Sequence, residues 1–223
     1  MLLSSIVGLA PATALLCIGI VTVGAIFQGS VGVGMNLLGA PLLSLIDPDF
    51  IPAALLLAVI PLTIGMARRE RGHIDRHGVA VAMIGRVPGT IAGASVAAVA
   101  STTTLQVIVG GGVLAAVVLS FSGLRFSPTD RNLVVAGLAS GFSGTATGVG
   151  GPPMVLTYQH SDVGVLRATL AAFFTLGALI GAGALVVTDV LNGREVRLAL
   201  LLLPGVAIGF AISRYTLARL PNH

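Results

Sequence analysis

The sequence predicts an all-α polytopic membrane protein, and three observations support that fold class. The mean hydropathy is +1.02, and only 9% of the residues are charged, whereas a soluble domain carries about 25%. Nothing ionised occurs from Met1 to Ile46 or from Val87 to Leu124, and roughly 20 apolar residues suffice for one helical crossing. The alternating polarity of an outer-membrane barrel is missing. These properties exclude a water-soluble globular protein.

Gly, Pro and charged residues divide the chain into nine apolar segments. The second and the seventh segments are too short to cross roughly 30 Å of hydrocarbon as helices. The sequence leaves open whether these two segments cross the membrane or re-enter it. The nine segments are 5–28, 35–46, 51–67, 78–100, 103–124, 132–146, 152–159, 164–187 and 196–215.

The two halves of the chain share a pattern of residues at a nearly constant spacing, which is the signature of an internal repeat. We therefore predict a single membrane domain over residues 1–223, with a first repeat over 5–100, a linking helix over 103–124 and a second repeat over 132–215. The matching residues are Phe27 with Phe142, Gly29 with Gly144, Gly32 with Gly148, Gly34 with Gly150, Ile64 with Ile180, Gly65 with Gly181, Pro88 with Pro204, Gly89 with Gly205 and Gly93 with Gly209.

The distribution of arginines bears on how the repeats relate to the membrane. If the first two segments of each repeat together begin and end on the same side of the membrane, the two repeats are inverted. Nine arginines then lie on one side of the membrane, and Arg194 and Arg197 lie on the other. If only one of the two crosses, the repeats are parallel and the split is eight to three. Arginine excess marks cytoplasmic loops. The sequence favours inversion, with the N-terminus outside, the loop 68–77 in the cytoplasm and the protein in the cell (inner) membrane.

Each half contains a glycine cluster inside an apolar stretch, GSVGVGMN at 29–36 and GTATGVGGPP at 144–153. Glycine allows a helix to break, and the freed backbone groups are tolerated in a membrane only where they face protein or a polar cavity. Broken segments in corresponding places of two halves indicate a midplane substrate site in a secondary transporter. The half-helices starting at Met35-Asn36 and at Pro152-Pro153 would favour an anion. Close helix packing through small residues is the alternative.

The predicted substrate-binding residues lie at the two clusters, with one charged residue from another segment. Asn36 is the strongest polar candidate, because an amide side chain at the start of a half-helix is otherwise hard to place in an apolar run. Arg86 lies eight residues into its segment, and two interpretations are open. It is either a functional residue inside the membrane or a side chain that extends to the cytoplasmic interface. The predicted residues are Gln28, Gly29, Ser30, Gly32, Gly34, Asn36, Thr145, Gly148, Gly150, Gly151, Pro152 and Arg86.

The motif regions GSVGVGMNLLGAPLL and GTATGVGGPPMVLTY, each followed by an apolar segment, a charged loop and a Gly/Pro-rich helix, resemble those of the TauE/SafE family of sulfite and organosulfonate exporters. The resemblance covers nearly the whole chain. The second motif is the closer of the two, because Met35 and Asn36 stand where the family continues with glycines and small residues. The resemblance implies export of a small sulfur-containing anion, with sulfite or a small sulfonate the expected solute.

Other classes of function receive less support. The GFSG at 141–144 has the form of an intramembrane protease nucleophile, but the later histidines, His160 and His223, lie at a segment end and at the terminus, so no enzyme is predicted. We predict no cofactor and no metal site, and nucleic acid is not an expected partner. The expected partners are a small anionic solute and the lipid bilayer, and a homodimer is left open. The alternative function is a non-transporting membrane scaffold or receptor.

Overall fold

The computed structural model describes residues 8–121 and 126–219. Within these ranges the chain forms nine α-helices and two short 3₁₀ turns, and it contains no strand. The helices are α1 (Pro11–Val31), α2 (Met35–Ile46), α3 (Ala53–Arg69), α4 (Arg76–Val99), α5 (Thr102–Phe121), α6 (Asp130–Thr147), α7 (Gly151–Tyr158), α8 (Val163–Val187) and α9 (Gly193–Arg219), and the 3₁₀ turns are Pro48–Phe50 and Arg71–His73.

Four helices are long and apolar enough to cross a membrane, judged by length and composition. They are α1, α4, α8 and the Gly193–Tyr215 part of α9. Helix α2 is apolar but has only 12 residues, and α7 has eight. The predicted all-helical class is confirmed, and four of the predicted apolar segments form helices long and apolar enough to span a membrane.

Polar residues at the ends of the apolar runs start several of these helices. Asp75 precedes α4 and accepts a hydrogen bond from the backbone N–H of Gly78. Asp162 does the same for the first turn of α8, and Thr129 for the first turn of α6. Side-chain caps of this kind satisfy backbone donors that have no partner within the helix.

Glycines bring two pairs of helices into backbone contact. On α4, a Cβ at Gly85 or at Gly89 would collide with the backbone of Val134 or Leu138 on α6. On α6, a Cβ at Gly137 would collide with the carbonyl oxygen of Ala82. Later residues of α4 therefore contact later residues of α6, which means that the two helices run parallel. Helices α9 and α1 pack in the same manner through Gly205 and Gly209, which face Ile18 and Thr22 of α1.

Polar contacts define two ends of the helical bundle. At the Arg69 end, Glu70, which follows α3, pairs with Arg69 in the last turn of α3 and with Arg167 near the start of α8. At the same end, the side chains of His77 in α4 and Asp130 in α6 lie 3.0 Å apart. At the Arg194 end, Arg194 in the first turn of α9 pairs with Asp47 and Asp49, which follow α2. The described acidic side chains in these contacts thus lie at helix ends.

Both short helices fold back along the helix that precedes them. Met35 at the start of α2 packs against Gly24 of α1, and α2 leads to Asp47 at the Arg194 end. Gly150, before α7, packs against Ser140 and Gly144 of α6. The hydroxyl of Tyr158 at the end of α7 donates to Asp75 Oδ2 at 2.7 Å. Each short helix therefore returns towards the end of the bundle at which the preceding helix began.

The observed helices differ from the predicted segments mainly at their ends. The segment predicted at 35–46 coincides with α2, while α7 begins at Gly151, one residue before the predicted start. The first described helix spans Pro11–Val31, whereas the predicted segment spans 5–28. Residues 5–7 and 122–124 of the predicted segments lie outside the described residues.

The close α4–α6 contact yields a test of stability. Replacement of Gly137 by alanine should force the backbones apart, because its Cβ would occupy the position of the Ala82 carbonyl oxygen. Overpacking of this kind costs ~1–3 kcal/mol, which lowers the melting temperature by roughly 2–10 °C. Thermal unfolding of the detergent-purified protein measures the shift. Gly183→Ala on α8 is the matched control, because nothing lies within 4 Å of its Cβ position, and an equal shift in both variants would contradict the packing argument.

Candidate functional site

The break between α1 and α2 depends on two glycines and one glutamine. Gly32 ends α1 with a φ of 101° and donates its backbone N–H to the carbonyl oxygen of Gln28 at 2.8 Å. Gly34 has a φ of 153°, which residues with a side chain rarely adopt. The side-chain Oε1 of Gln28 accepts a hydrogen bond from the backbone N–H of Met35 at 3.0 Å. The chain can therefore reverse inside the bundle while its freed backbone groups keep partners.

The break between α6 and α7 is built in the same way. Gly148 ends α6 with a φ of 82° and donates its N–H to a carbonyl oxygen one turn earlier, that of Gly144, at 3.1 Å. The hydroxyl of Ser140 donates to the carbonyl oxygen of Gly150. Pro152 follows in the first turn of α7, where its missing N–H costs nothing.

The two breaks meet at a cavity inside the bundle. The side-chain Nδ2 of Asn36 donates to the carbonyl oxygen of Gly148 at 2.9 Å, a contact between residues 112 positions apart. The cavity volume is about 40 Å³, room for roughly three waters at ~10–15 Å³ each. Its lining residues are Gln28, Val33, Gly34, Asn36, Leu37, Leu56, Val59, Arg86, Gly144, Gly148, Val149, Gly150, Gly151, Phe174 and Ala178.

Arg86 supplies the charge of this cavity and is held by α6 and α8. Its side chain is 2% exposed. Nη1 donates to the hydroxyl of Ser140 at 2.7 Å and to the carbonyl oxygen of the same residue at 3.2 Å. The guanidinium carbon lies 4.9 Å from the ring centroid of Phe173, and a Cβ at Gly177 would collide with the guanidinium. The side chain thus stays within the bundle and does not extend to an interface.

No carboxylate neutralises Arg86 among the residues that the structure describes. Its Nε is buried and lacks a hydrogen-bond partner in the same set, and so does Oδ1 of Asn36. The eight carboxylates of the chain lie outside the α-helices or in their first turns, at Asp47, Asp49, Glu70, Asp75, Asp130, Asp162, Asp189 and Glu195. The cavity therefore carries a positive charge together with hydrogen-bonding groups.

The broken helices add to this positive potential, because the first turns of α2 and α7 border the cavity. Each helix N-terminus is equivalent to roughly half a positive charge. The C-terminus of α1 has the opposite sign, and two arginines offset it. Arg69 Nη2 donates to the carbonyl oxygen of Gly29 at 2.9 Å, and Arg167 Nη1 to that of Ser30 at 3.3 Å.

The predicted site residues fall into two groups. Seven line the cavity, namely Gln28, Gly34, Asn36, Arg86, Gly148, Gly150 and Gly151. The other five do not. Gly29 faces Ser213, Gly32 faces Arg167, and Thr145 is fully buried next to Gly181. The carbonyl oxygen of Ser30 binds Arg167, and Pro152 lies in the first turn of α7 outside the cavity lining.

The remaining site residues were not predicted, and most of them are apolar or small. Leu56 and Val59 belong to α3, and Phe174 and Ala178 to α8, which are the third segments of the two predicted repeats. That correspondence is the one signal that could have indicated them. Ser140, which holds Arg86, lies in an apolar helix and belongs to neither the GFSG at 141–144 nor the glycine cluster at 144–153. The unpredicted lining residues are Val33, Leu37, Leu56, Val59, Gly144, Val149, Phe174 and Ala178.

Comparison with known proteins identifies the family of this chain. The family model described as "Sulfite exporter TauE/SafE" matches residues 15–223. A search among curated proteins and a search among solved structures each found no match. The chain therefore belongs to the sulfite exporter TauE/SafE family, whose members are membrane transporters rather than enzymes. The family resemblance that the motifs indicate is confirmed.

Proposed function

We propose that the protein is a secondary transporter that exports sulfite or a small organosulfur anion, and that the cavity between the two helix breaks binds this anion. The observation that carries the proposal is the buried, unneutralised guanidinium of Arg86 beside the cavity. The sequence contains no Lys and therefore no phosphate-binding GxxxxGK[ST] loop for ATP. Transport then draws on ion or solute gradients.

The energetic argument favours an anionic ligand. A charged side chain at the centre of a membrane protein costs ~2.5–3.5 kcal/mol on insertion scales. For Arg86, hydrogen bonds to Ser140 and the ring of Phe173 recover part of this cost, and both partners are electrically neutral. A bound anion would recover the remainder, whereas a metal cation or a polyamine would add repulsion.

The donor geometry suits an oxyanion. The hydrogen bonds of Arg86 to described residues come from Nη1, so the edge formed by Nε and Nη2 is left for a ligand. Two parallel N–H groups on one edge bind two oxygens of the same anion. We assign the binding role to the predicted residues that line the cavity, with Asn36 and the first turns of α2 and α7 as further donors. The cavity volume of about 40 Å³ favours a solute of sulfite size over a larger anion.

We also propose that residues 5–100 and 132–215 are inverted repeats joined by α5. Three features support this arrangement. The first helix of each repeat packs along the last helix of the other, as α1 with α9 and α6 with α4. The third helices, α3 and α8, pack on each other. The pair α1–α2 returns to the Arg194 end, and the pair α6–α7 to the Arg69 end.

Arginine substitution tests the proposed site. Arg86→Gln should raise the KM for sulfite by roughly 10- to 100-fold, because a hydrogen bond to a charged group is worth about 1.5–3 kcal/mol. Arg86→Lys keeps the charge but loses the forked pair of donors, so its KM should lie between the wild-type value and that of Arg86→Gln. Counterflow of radiolabelled sulfite in proteoliposomes measures both values.

Arg131→Gln is the matched control, because it removes the same charge from an exposed position of α6 and should leave the KM unchanged. All variants must insert and elute as monodisperse species. Wild-type KM values in a monodisperse Arg86→Gln protein would overturn the site, and a wild-type flux that responds to cations but to no sulfur anion would overturn the function.

The proposed inverted arrangement and the arginine distribution support a cytoplasmic location for the Arg69 end and an external location for the Arg194 end. Single cysteines at Arg71 and Asp130, in a Cys17→Ser background, should therefore resist a membrane-impermeant thiol reagent in intact cells and react after permeabilisation. A cysteine at Arg197 should react in intact cells. Mass shifts of the purified protein report labelling, and external labelling at Arg71 or Asp130 would contradict the orientation.

A further inference from the structure

A cluster of three charged side chains at the Arg69 end, Arg69, Glu70 and Arg167, lies outside the lining of the central cavity. Glu70 lies between two arginines and binds a different one with each carboxylate oxygen. Oε1 accepts from Arg69 Nε at 3.0 Å and from Arg69 Nη2 at 2.8 Å. Oε2 accepts from Arg167 Nε at 2.9 Å. Two guanidinium groups thus converge on one carboxylate.

This cluster lies directly beside the last turn of α1. Arg69 and Arg167 also donate to the carbonyl oxygens of Gly29 and Ser30, and the preceding residue, Gln28, lines the central cavity. The side chains of Arg69, Glu70 and Arg167 are 21%, 12% and 15% exposed. The cluster therefore stands between the central cavity and the solvent at the Arg69 end.

The charges of the cluster do not cancel. Two guanidinium groups and one carboxylate leave a net charge of +1. In addition, Nη1 of Arg69 is buried and has no hydrogen-bond partner among the described residues. An unpaired buried donor on a charged group is costly, and an anion or an oxygen of a solute would satisfy it.

Resting on the export function proposed above, we propose that Arg69 and Arg167 form a second binding station for small oxyanions, in which the Glu70 carboxylate acts as a tethered ligand. A carboxylate presents two oxygens to the guanidinium groups, as a sulfite or sulfonate does. A solute oxyanion displaces Glu70, binds both arginines and passes beyond Gln28 to Arg86. The station captures the anion on the proposed cytoplasmic side.

Counting bound anions tests the station. Purified protein under nitrogen is titrated with radiolabelled sulfite at equilibrium. Wild-type protein should bind one sulfite per chain, dependent on Arg86, because Glu70 occupies the station. Glu70→Gln should bind two, and the additional site should persist in the double variant Glu70→Gln/Arg86→Gln. Addition of Arg69→Gln or Arg167→Gln to Glu70→Gln should weaken that site by about 10- to 100-fold.

Transport kinetics give a second test, in single variants that retain Glu70. Arg69→Gln and Arg167→Gln should each raise the KM for sulfite presented at the Arg69 end by about 10-fold while Vmax changes little. Arg71→Gln is the matched control, since Arg71 is an exposed arginine of the neighbouring 3₁₀ turn and its loss should change neither value.

The outcomes separate the two proposals. One sulfite per chain in a monodisperse Glu70→Gln protein, lost on Arg86→Gln, would overturn the station and leave the central site standing. If Glu70→Gln does not fold, unchanged KM values in Arg69→Gln and Arg167→Gln would overturn it instead. Conversely, absence of flux and of Arg86-dependent binding, with sulfite still bound in Glu70→Gln/Arg86→Gln, would overturn the export function alone.

Discussion

Backbone groups freed by the two broken helices must find hydrogen-bond partners inside an apolar bundle. Hydrocarbon offers no hydrogen bonds, so an unpaired N–H or C=O there costs several kcal/mol. The polar side chains at the breaks meet this requirement. Gln28 caps α2, Asn36 binds the carbonyl oxygen of Gly148, and Ser140 binds that of Gly150. The same contacts fix the shape of the cavity.

A broken helix also presents charge of both signs, and this explains the position of the arginines. The N-termini of α2 and α7 favour an anion, whereas the C-termini of α1 and α6 oppose it. Arg69 and Arg167 donate to the last turn of α1, and the Arg86 guanidinium lies beside Gly144 in the last turn of α6. Each unfavourable helix end thus has a permanent cation nearby. A cavity with this distribution of charge selects against cations before any specific contact with a solute.

Much of this architecture follows from the sequence because its determinants are local. Gly34 and Asp47 delimit the run that becomes α2, so its bounds could be predicted. The site was predicted less well, since consecutive residues of a helix point about 100° apart and a run such as 28–30 cannot all face one cavity. Gln28 faces it, and Gly29 faces Ser213 of α9 instead.

The contacts of Arg86 are a second case that the sequence could not reveal. Ser140, Phe173 and Gly177 lie 54, 87 and 91 positions after Arg86 in the chain, and none belongs to a motif. The parallel packing of α4 on α6, set by glycines, brings Ser140 to Arg86. Such a contact depends on which helices pack together, and no local pattern encodes that choice.

Binding of a small oxyanion at Arg86 between the two breaks can be observed in a crystal structure with selenite. Selenite has the shape and charge of sulfite, and selenium gives an anomalous signal that identifies its position. If the anion binds there, one anomalous peak lies in the cavity within about 4 Å of Arg86 Nε, the distance expected when oxygens on the selenium accept hydrogen bonds from that nitrogen. The peak should disappear in Arg86→Gln. A cavity without a peak at saturating selenite, in protein that transports the ion, would contradict the account.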